Sequence, residues 1–231
     1  MADRCLLYYI TDRSQFRGDE QARRRALLAK IAEAAAASVD YIQLREKDMS
    51  TRELEMLARD AMAAVRESTG LRTENRELRS RSRTRLLINS RTDVAIAIGA
   101  DGVHLRTDDI SPSDVREVWR SCGAGALARV AAPIITLSVH GPIPSILAAS
   151  DLIDFAIFAP VFEKNGAAGT QPAGLGALRE ASGAKIPVLA LGGVTIENAA
   201  SCLNIGAAGV AGIRLFQENK IEEVVRTLRA L

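Results

Sequence analysis

Short apolar runs alternate with longer amphipathic stretches from one end of the chain to the other. Eight runs have the length and composition of strands: Leu6–Thr11, Tyr41–Arg45, Leu86–Asn89, Gly102–Leu105, Ile134–Ser138, Phe155–Phe158, Val188–Leu191 and Gly209–Ile213. Between them apolar positions recur at helical spacing, as in Ala22–Ala37, Thr51–Arg66 and Thr195–Leu203, and a closing helix is predicted over Ile221–Leu231. Two helix starts carry their own signals. Ser50 followed three residues later by Glu53 reads as a capping box, and Ser111-Pro112 places proline at a first helical position.

Strands alternating with helices predict a parallel sheet built from crossover connections. A closed barrel and an open, doubly wound sheet both satisfy that pattern, and two features favour the barrel. No glycine-rich dinucleotide fingerprint follows the first strand. Glycines cluster late instead, at Gly192-Gly193 and Gly209/Gly212, at the ends of candidate strands seven and eight, where such barrels commonly hold a phosphate. The expectation is therefore α/β: a single (β/α)8 TIM barrel over residues 1–231. One stretch breaks the rhythm. Residues 68–85 are polar and rich in arginine (Arg72, Arg76, Arg79, Arg81, Arg83, Arg85), and read as a solvated insertion or, alternatively, as a patch for an anionic ligand or partner.

Composition narrows the function classes. With 48% hydrophobic residues in 231, a sizeable core is within reach, and a formal net charge of only +2 gives no support for a nucleic-acid partner. No apolar run approaches a membrane span, and Met1-Ala2-Asp3-Arg4 lacks the order of a signal peptide. Cys5, Cys122 and Cys202 are widely spaced, neither in metal-ligand spacing nor even in number, as expected for thiols in a reducing cytosol. The reading is a soluble, cytoplasmic protein, with self-association left open.

Candidate chemistry concentrates near strand ends. In Tyr41-Ile42-Gln43-Leu44-Arg45-Glu46-Lys47, strand alternation sends Gln43, Arg45 and Lys47 to one side and Ile42, Leu44 and Glu46 to the other. Cations inside a barrel mouth are costly unless paired. An anionic ligand would pair them, as would an internal salt bridge to Asp12, Asp109 or Glu163. Gly192-Gly193 before Thr195, a candidate helix N-cap, would let backbone N–H groups approach an oxyanion, with Ala211-Gly212-Ile213-Arg214 supplying the other half of a cradle; the alternative is ordinary turn glycines. Asp108 and Asp109 stand where a loop presents carboxylates to Mg²⁺, although acidic pairs before helices also serve as caps. His140, just past strand five, is placed to transfer protons or to serve the structure, whereas His104 lies within a strand and reads as structural.

Taken in order, these segments resemble the thiamine-phosphate synthase and thiazole tautomerase superfamily of barrels. The resemblance rests on Tyr9-Ile10-Thr11-Asp12, Gln43-Leu44-Arg45-Glu46-Lys47, Ile88-Asn89, Ala100-Asp101-Gly102-Val103-His104-Leu105, Ser138-Val139-His140, Pro160-Val161-Phe162, Gly192-Gly193-Val194 and Gly209-Val210-Ala211. It implies a transferase of thiamine biosynthesis that joins hydroxymethylpyrimidine diphosphate to thiazole phosphate and releases pyrophosphate. Gln43, Arg45, Lys47 and Asn89 would hold the pyrimidine diphosphate, while Gly193, Ile213 and Arg214 would hold the thiazole phosphate. Ser138 joins the substrate-binding set, and Arg45, Lys47 and His140 are the candidate catalytic residues.

The chain departs from the synthase pattern at three places. Ser90 replaces the usual acidic Mg²⁺ ligand, leaving Asp109 as the remaining carboxylate; Arg106-Thr107 replaces Gly-Gln; and Glu163-Lys164-Asn165-Gly166 replaces a threonine- and lysine-bearing loop. These losses fit the tautomerase branch, which needs no metal and would use His140 as general acid and base on a thiazole carboxylate phosphate. The Gln43–Lys47 segment fits the synthases better. A non-catalytic barrel binding a thiazole or thiamine phosphate is a third alternative.

Overall fold

The computed structural model describes residues 4–70, 84–123, 132–140, 151–163 and 171–231. Its eight strands are β1 (Leu6–Ile10), β2 (Tyr41–Leu44), β3 (Arg85–Asn89), β4 (Gly102–Leu105), β5 (Ile134–Val139), β6 (Phe155–Phe158), β7 (Val188–Ala190) and β8 (Gly209–Gly212). Each pairs in parallel with the next, and β8 pairs with β1, closing the barrel. The open-sheet alternative is thereby excluded.

Strand alternation sorts the core into two layers. Tyr8, Ile10, Leu87, Phe155, Ile157, Leu189 and Ala211 fill the barrel interior. Within it the Tyr8 and Phe155 rings meet edge to face at 5.7 Å, and Tyr41 lies 4.7 Å from Phe155. Residues of the other parity, such as Leu7, Tyr9, Ile42, Leu44, Leu86, Ile88, Val103 and Leu105, pack outward against the helices. Helices described around the barrel are α1 (Glu20–Ala36), α2 (Thr51–Gly70), α3 (Thr92–Ile98), α4 (Pro112–Gly123), α5 (Gly174–Ser182), α6 (Ala199–Leu203), α7 (Arg214–Gln217) and α8 (Ile221–Arg229).

The helix starts follow the sequence signals. Ser50 and Glu53 form the reciprocal capping box, with the Ser50 N–H donating to Glu53 at 3.0 Å and the Glu53 N–H to Ser50 Oγ at 3.4 Å. Pro112 opens α4, with Ser111 Oγ donating to Asp114 at 2.7 Å. Two expectations need correction. The helix expected over Thr195–Leu203 is confined to Ala199–Leu203, because Thr195 and Asn198 bond to each other's backbone N–H groups and hold a turn ahead of it. The ends of the polar stretch at 68–85 belong to regular structure: α2 runs through Gly70, and Arg85 begins β3, pairing with Asp101 at 3.1 Å. The remaining arginines of that stretch lie outside the described residues.

The amino end of the barrel is closed by a repeated device. An aspartate stands immediately before β2, β4 and β6, and each accepts a hydrogen bond from a backbone N–H of the preceding strand. Asp40 takes Leu7 N–H at 2.8 Å, Asp101 takes Leu86 N–H at 2.9 Å and Asp154 takes Ile135 N–H at 2.8 Å. Asp40 also receives Arg229 of α8 at 2.8 Å, tying the last helix to the barrel floor. We predict that Asp154→Ala costs about 1–2 kcal/mol, the loss of one charge-assisted hydrogen bond and of a solvent-screened contact with Arg116 at 3.7 Å. Asp40→Ala should cost about 3 kcal/mol or more, because it also leaves the largely buried Arg229 without its carboxylate, with the Cys5 and Ser38 carbonyls as its remaining partners. Urea unfolding of the two variants checks this; equal losses would mean that the Arg229 contact adds nothing.

Candidate active site

In a closed parallel barrel all strand carboxyl ends share one rim. Gln43, Arg45, Asn89, Arg106, Ser138, His140, Gly193 and Ile213 lie at or just beyond those ends. The converse also holds, and it corrects one expectation. Gly209 begins β8 at the opposite end, where a Cβ would lie 2.1 Å from the Leu6 carbonyl oxygen, so its role is strand packing rather than part of a phosphate cradle.

On β2, Gln43 is buried and donates from Nε2 to Oδ1 of Asn89 on β3 at 2.8 Å. Gln43 Oε1 has no partner, although it is buried. Arg45 follows at the strand's end, half-buried; its backbone N–H donates to Thr11 Oγ1 at 2.9 Å, and its guanidinium has no salt bridge among the described residues. Burial lowers its pKa from the usual value, with Asp12 and Glu46 working against that and Arg106 adding repulsion. None of the three alternative partners forms a salt bridge with Arg45: Asp109 pairs with Arg106, Asp12 caps the turn at Arg13–Gln15, and Glu163 is exposed beyond β6. Lys47 is exposed on the loop beyond β2.

Glu46 faces away from Arg45, as alternation required. It accepts from Thr11 Oγ1 at 2.7 Å and pairs with Arg13 at 3.1 Å, and Arg13 also holds Asp48 and Glu20. This network, in which Arg13 is 7% exposed, fixes the β1 and β2 loops that carry the rim. Nothing in the local sequence around Arg13 distinguishes it from an ordinary loop arginine.

A second network joins β3 to β4. Ser90 has a left-handed backbone, φ 59°, uncommon outside glycine. In that conformation its Oγ receives Asn89 Nδ2 at 3.0 Å and Arg106 Nε at 3.2 Å, and donates to Asp109 Oδ2 at 2.7 Å. Asp109 further accepts the Arg106 backbone N–H at 2.7 Å and Arg106 Nη2 at 3.1 Å. Burial opposes ionisation of Asp109, but these donors hold its carboxyl below the usual range.

That donor set does not suit Mg²⁺, the cofactor implied by the resemblance. A divalent ion needs carboxylate oxygens facing it. Asp109 has both oxygens taken by an amide, a hydroxyl and a guanidinium, and the neighbouring Ser90 adds no charge. Among the described residues no group of three or more His, Cys, Asp or Glu side chains could hold a metal ion.

Inside the barrel His104 bonds through Nδ1 to Thr136 at 2.7 Å and through Nε2 to Ser138 at 2.7 Å, and Thr136 contacts Tyr8 OH at 3.4 Å. His140 is exposed on the rim and donates from Nδ1 to the Ala159 carbonyl at 2.8 Å, which leaves Nε2 as the basic nitrogen. Gly192 and Gly193 have φ of 92° and 66°, and a Cβ at Gly193 would come 2.5 Å from the Glu163 carbonyl oxygen. Close packing of the β6 loop therefore demands these glycines independently of any ligand. Ile213 is partly buried and Arg214 is exposed after β8, where α7 is a single turn. Lys164 lies outside the described residues.

Comparisons with known proteins cover nearly the whole chain. The family model described as thiamine monophosphate synthase matches residues 7–216. A putative thiamine-phosphate synthase of Geobacter sulfurreducens is 39% identical over 228 residues, covering 97% of this chain and 93% of that protein. A putative thiamine-phosphate synthase 2 of Aquifex aeolicus is 34% identical, covering 92% and 97%. The solved thiamine phosphate pyrophosphorylase of Pyrococcus furiosus superposes with a TM-score of 0.73 at 26% identity, covering 99% and 95%.

Burial drives the His104 pKa down to about 3, Asp109 only partly offsetting it. Because the folded value lies below the usual 6.5, the neutral ring's contribution is complete above that pH and is lost as the pH falls toward 3. Between pH 7 and pH 5 the protein should lose about 2 kcal/mol of stability through this group. Denaturant unfolding at both pH values checks it: His104→Gln should remove that part of the slope, and an unchanged slope would refute it.

Proposed function

Because the chain belongs to the thiamine monophosphate synthase family, we propose that it joins hydroxymethylpyrimidine diphosphate to thiazole phosphate and releases pyrophosphate. In this reaction the bond between the pyrimidine methylene carbon and the diphosphate oxygen breaks, and its electron pair leaves with pyrophosphate. The methylene cation that remains is captured by the lone pair of the thiazole nitrogen. The protein's task is to neutralise the leaving group, align the rings and keep water from the cation.

The observation that carries this reading is Arg45: a half-buried guanidinium at the barrel mouth without an ion pair among the described residues. Its desolvation is offset when a diphosphate takes up its planar pair of donors. Lys47 adds a second positive charge from the loop beyond β2. Gln43 and Asn89, locked together, orient the pyrimidine; the orphaned Gln43 Oε1 suits an N–H donor on that ring. Ser138, held by His104, lines the same mouth. Backbone groups at Gly193 and Ile213, with Arg214, receive the thiazole phosphate. Asp109 is already committed to Ser90 and Arg106, so the leaving-group charge falls to the rim cations. The free thiols Cys5, Cys122 and Cys202 suit work in the cytosol, and no described helix is long and apolar enough to cross a membrane.

His140 favours a second reading. With Nδ1 pinned to Ala159, its Nε2 could exchange a proton with a thiazole carboxylate phosphate, the tautomerase reaction.

Purified protein given both synthase substrates should release pyrophosphate, and Arg45→Gln should lower kcat about 100-fold. Absence of pyrophosphate release would overturn the synthase reading. Isomerisation of the thiazole carboxylate that vanishes in His140→Ala would establish the second.

A further inference from the structure

Arg106 is held unusually firmly for a side chain that is 51% exposed. Its Nε donates to Ser90 Oγ, its Nη2 to Asp109 Oδ1, and its own backbone N–H to Asp109 Oδ2. Three anchors fix the plane of the guanidinium, while Nη1 has no partner among the described residues. Ser90 sustains a strained left-handed backbone, and what that conformation achieves is a hydroxyl touching Asn89, Asp109 and Arg106 together. The same chain of bonds leads back through Asn89 to Gln43, whose buried Oε1 lacks a partner.

Arg45 stands close enough to Arg106 for their charges to repel. Arg106 is ion-paired to Asp109 at 3.1 Å and to Asp108 at 3.6 Å, whereas the partly desolvated Arg45 has no ion pair among the described residues, so an anion held between Nη1 of Arg106 and the Arg45 guanidinium would offset the Arg45 desolvation. A diphosphate spreads its charge over two phosphoryl groups and can meet two planar forks at once. Meanwhile a cation already lies 3.1 Å from Asp109 Oδ1, so a divalent ion on that carboxylate would have to expel it.

Resting on the synthase reading, we propose that Arg106, braced by Asp109 and Ser90, takes the place of the divalent cation at this rim and binds the substrate's diphosphate directly beside Arg45. Pyrophosphate therefore binds this chain without metal. The same geometry explains why serine suffices at position 90: its partner is a guanidinium, which needs an acceptor there and not a second negative charge.

The test is calorimetric binding of inorganic pyrophosphate to the full chain, in EDTA and in excess Mg²⁺. Wild-type protein should bind in EDTA. Arg106→Gln should weaken that binding about 10- to 100-fold, the loss of one or two charge-assisted hydrogen bonds. Arg106→Lys, which keeps the charge but loses the fork, should fall between. The double variant Ser90→Asp/Arg106→Gly should bind pyrophosphate only with Mg²⁺, since aspartate tolerates the left-handed backbone and two carboxylates would then face an open position. Binding that needs Mg²⁺ in the wild type, or that is unchanged in Arg106→Gln, overturns the proposal and leaves the synthase reading standing. Failure to bind in either buffer overturns both.

Discussion

Closure of eight parallel strands into a ring is the constraint on which everything else rests. It forces every carboxyl end onto one rim, so residues as distant in sequence as Gln43 and Ile213 meet at a single mouth. Closure itself rests on ordinary packing: aromatic rings of Tyr8, Tyr41 and Phe155 fill the interior, and glycine at 102 and 209 lets neighbouring strands approach where a Cβ would strike a carbonyl.

The two ends of the barrel use charge in opposite ways. At the amino end Asp40, Asp101 and Asp154 each accept a strand N–H, and Arg85, Arg116 and Arg229 lie against them. That floor is internally compensated. At the carboxyl end the loops are braced by Arg13 with Glu46, Asp48 and Glu20, while Arg45 carries no ion pair among the described residues. A floor with matched charges and a rim with a partly desolvated arginine differ in their capacity for an anion, and the proposed function places the substrate at the rim. For a chain of the thiamine monophosphate synthase family, that capacity suits the phosphorylated substrates of the proposed reaction.

Much of this was legible in the sequence, because strand alternation and helical periodicity are local. All eight strands fall within a residue or two of the apolar runs, and the turn of Gln43 and Glu46 to opposite sides follows from parity alone. What was not legible is long-range. Gly209 and Gly193 look alike in sequence, yet one sits on the floor and the other on the rim. Thr195 resembles a helix start, but its exchange with Asn198 holds a turn first. Ser90 reads as the loss of a metal ligand, and only the structure shows Arg106, sixteen residues away, using it. The aspartates before alternate strands are a signal that was available: an acidic residue at the same place in Asp40-Tyr41, Asp101-Gly102 and Asp154-Phe155 marks a repeated floor contact.

The central claim is that rim cations and rim amides converge on one anion-holding mouth. A crystal structure of the chain with pyrophosphate tests it most directly. The account requires the anion at the carboxyl-end rim, within hydrogen-bond distance of both Arg45 and Arg106, with Asp109 still bonded to Ser90. An anion seated away from that rim, or an Arg45 paired to the protein with the mouth closed, would contradict it.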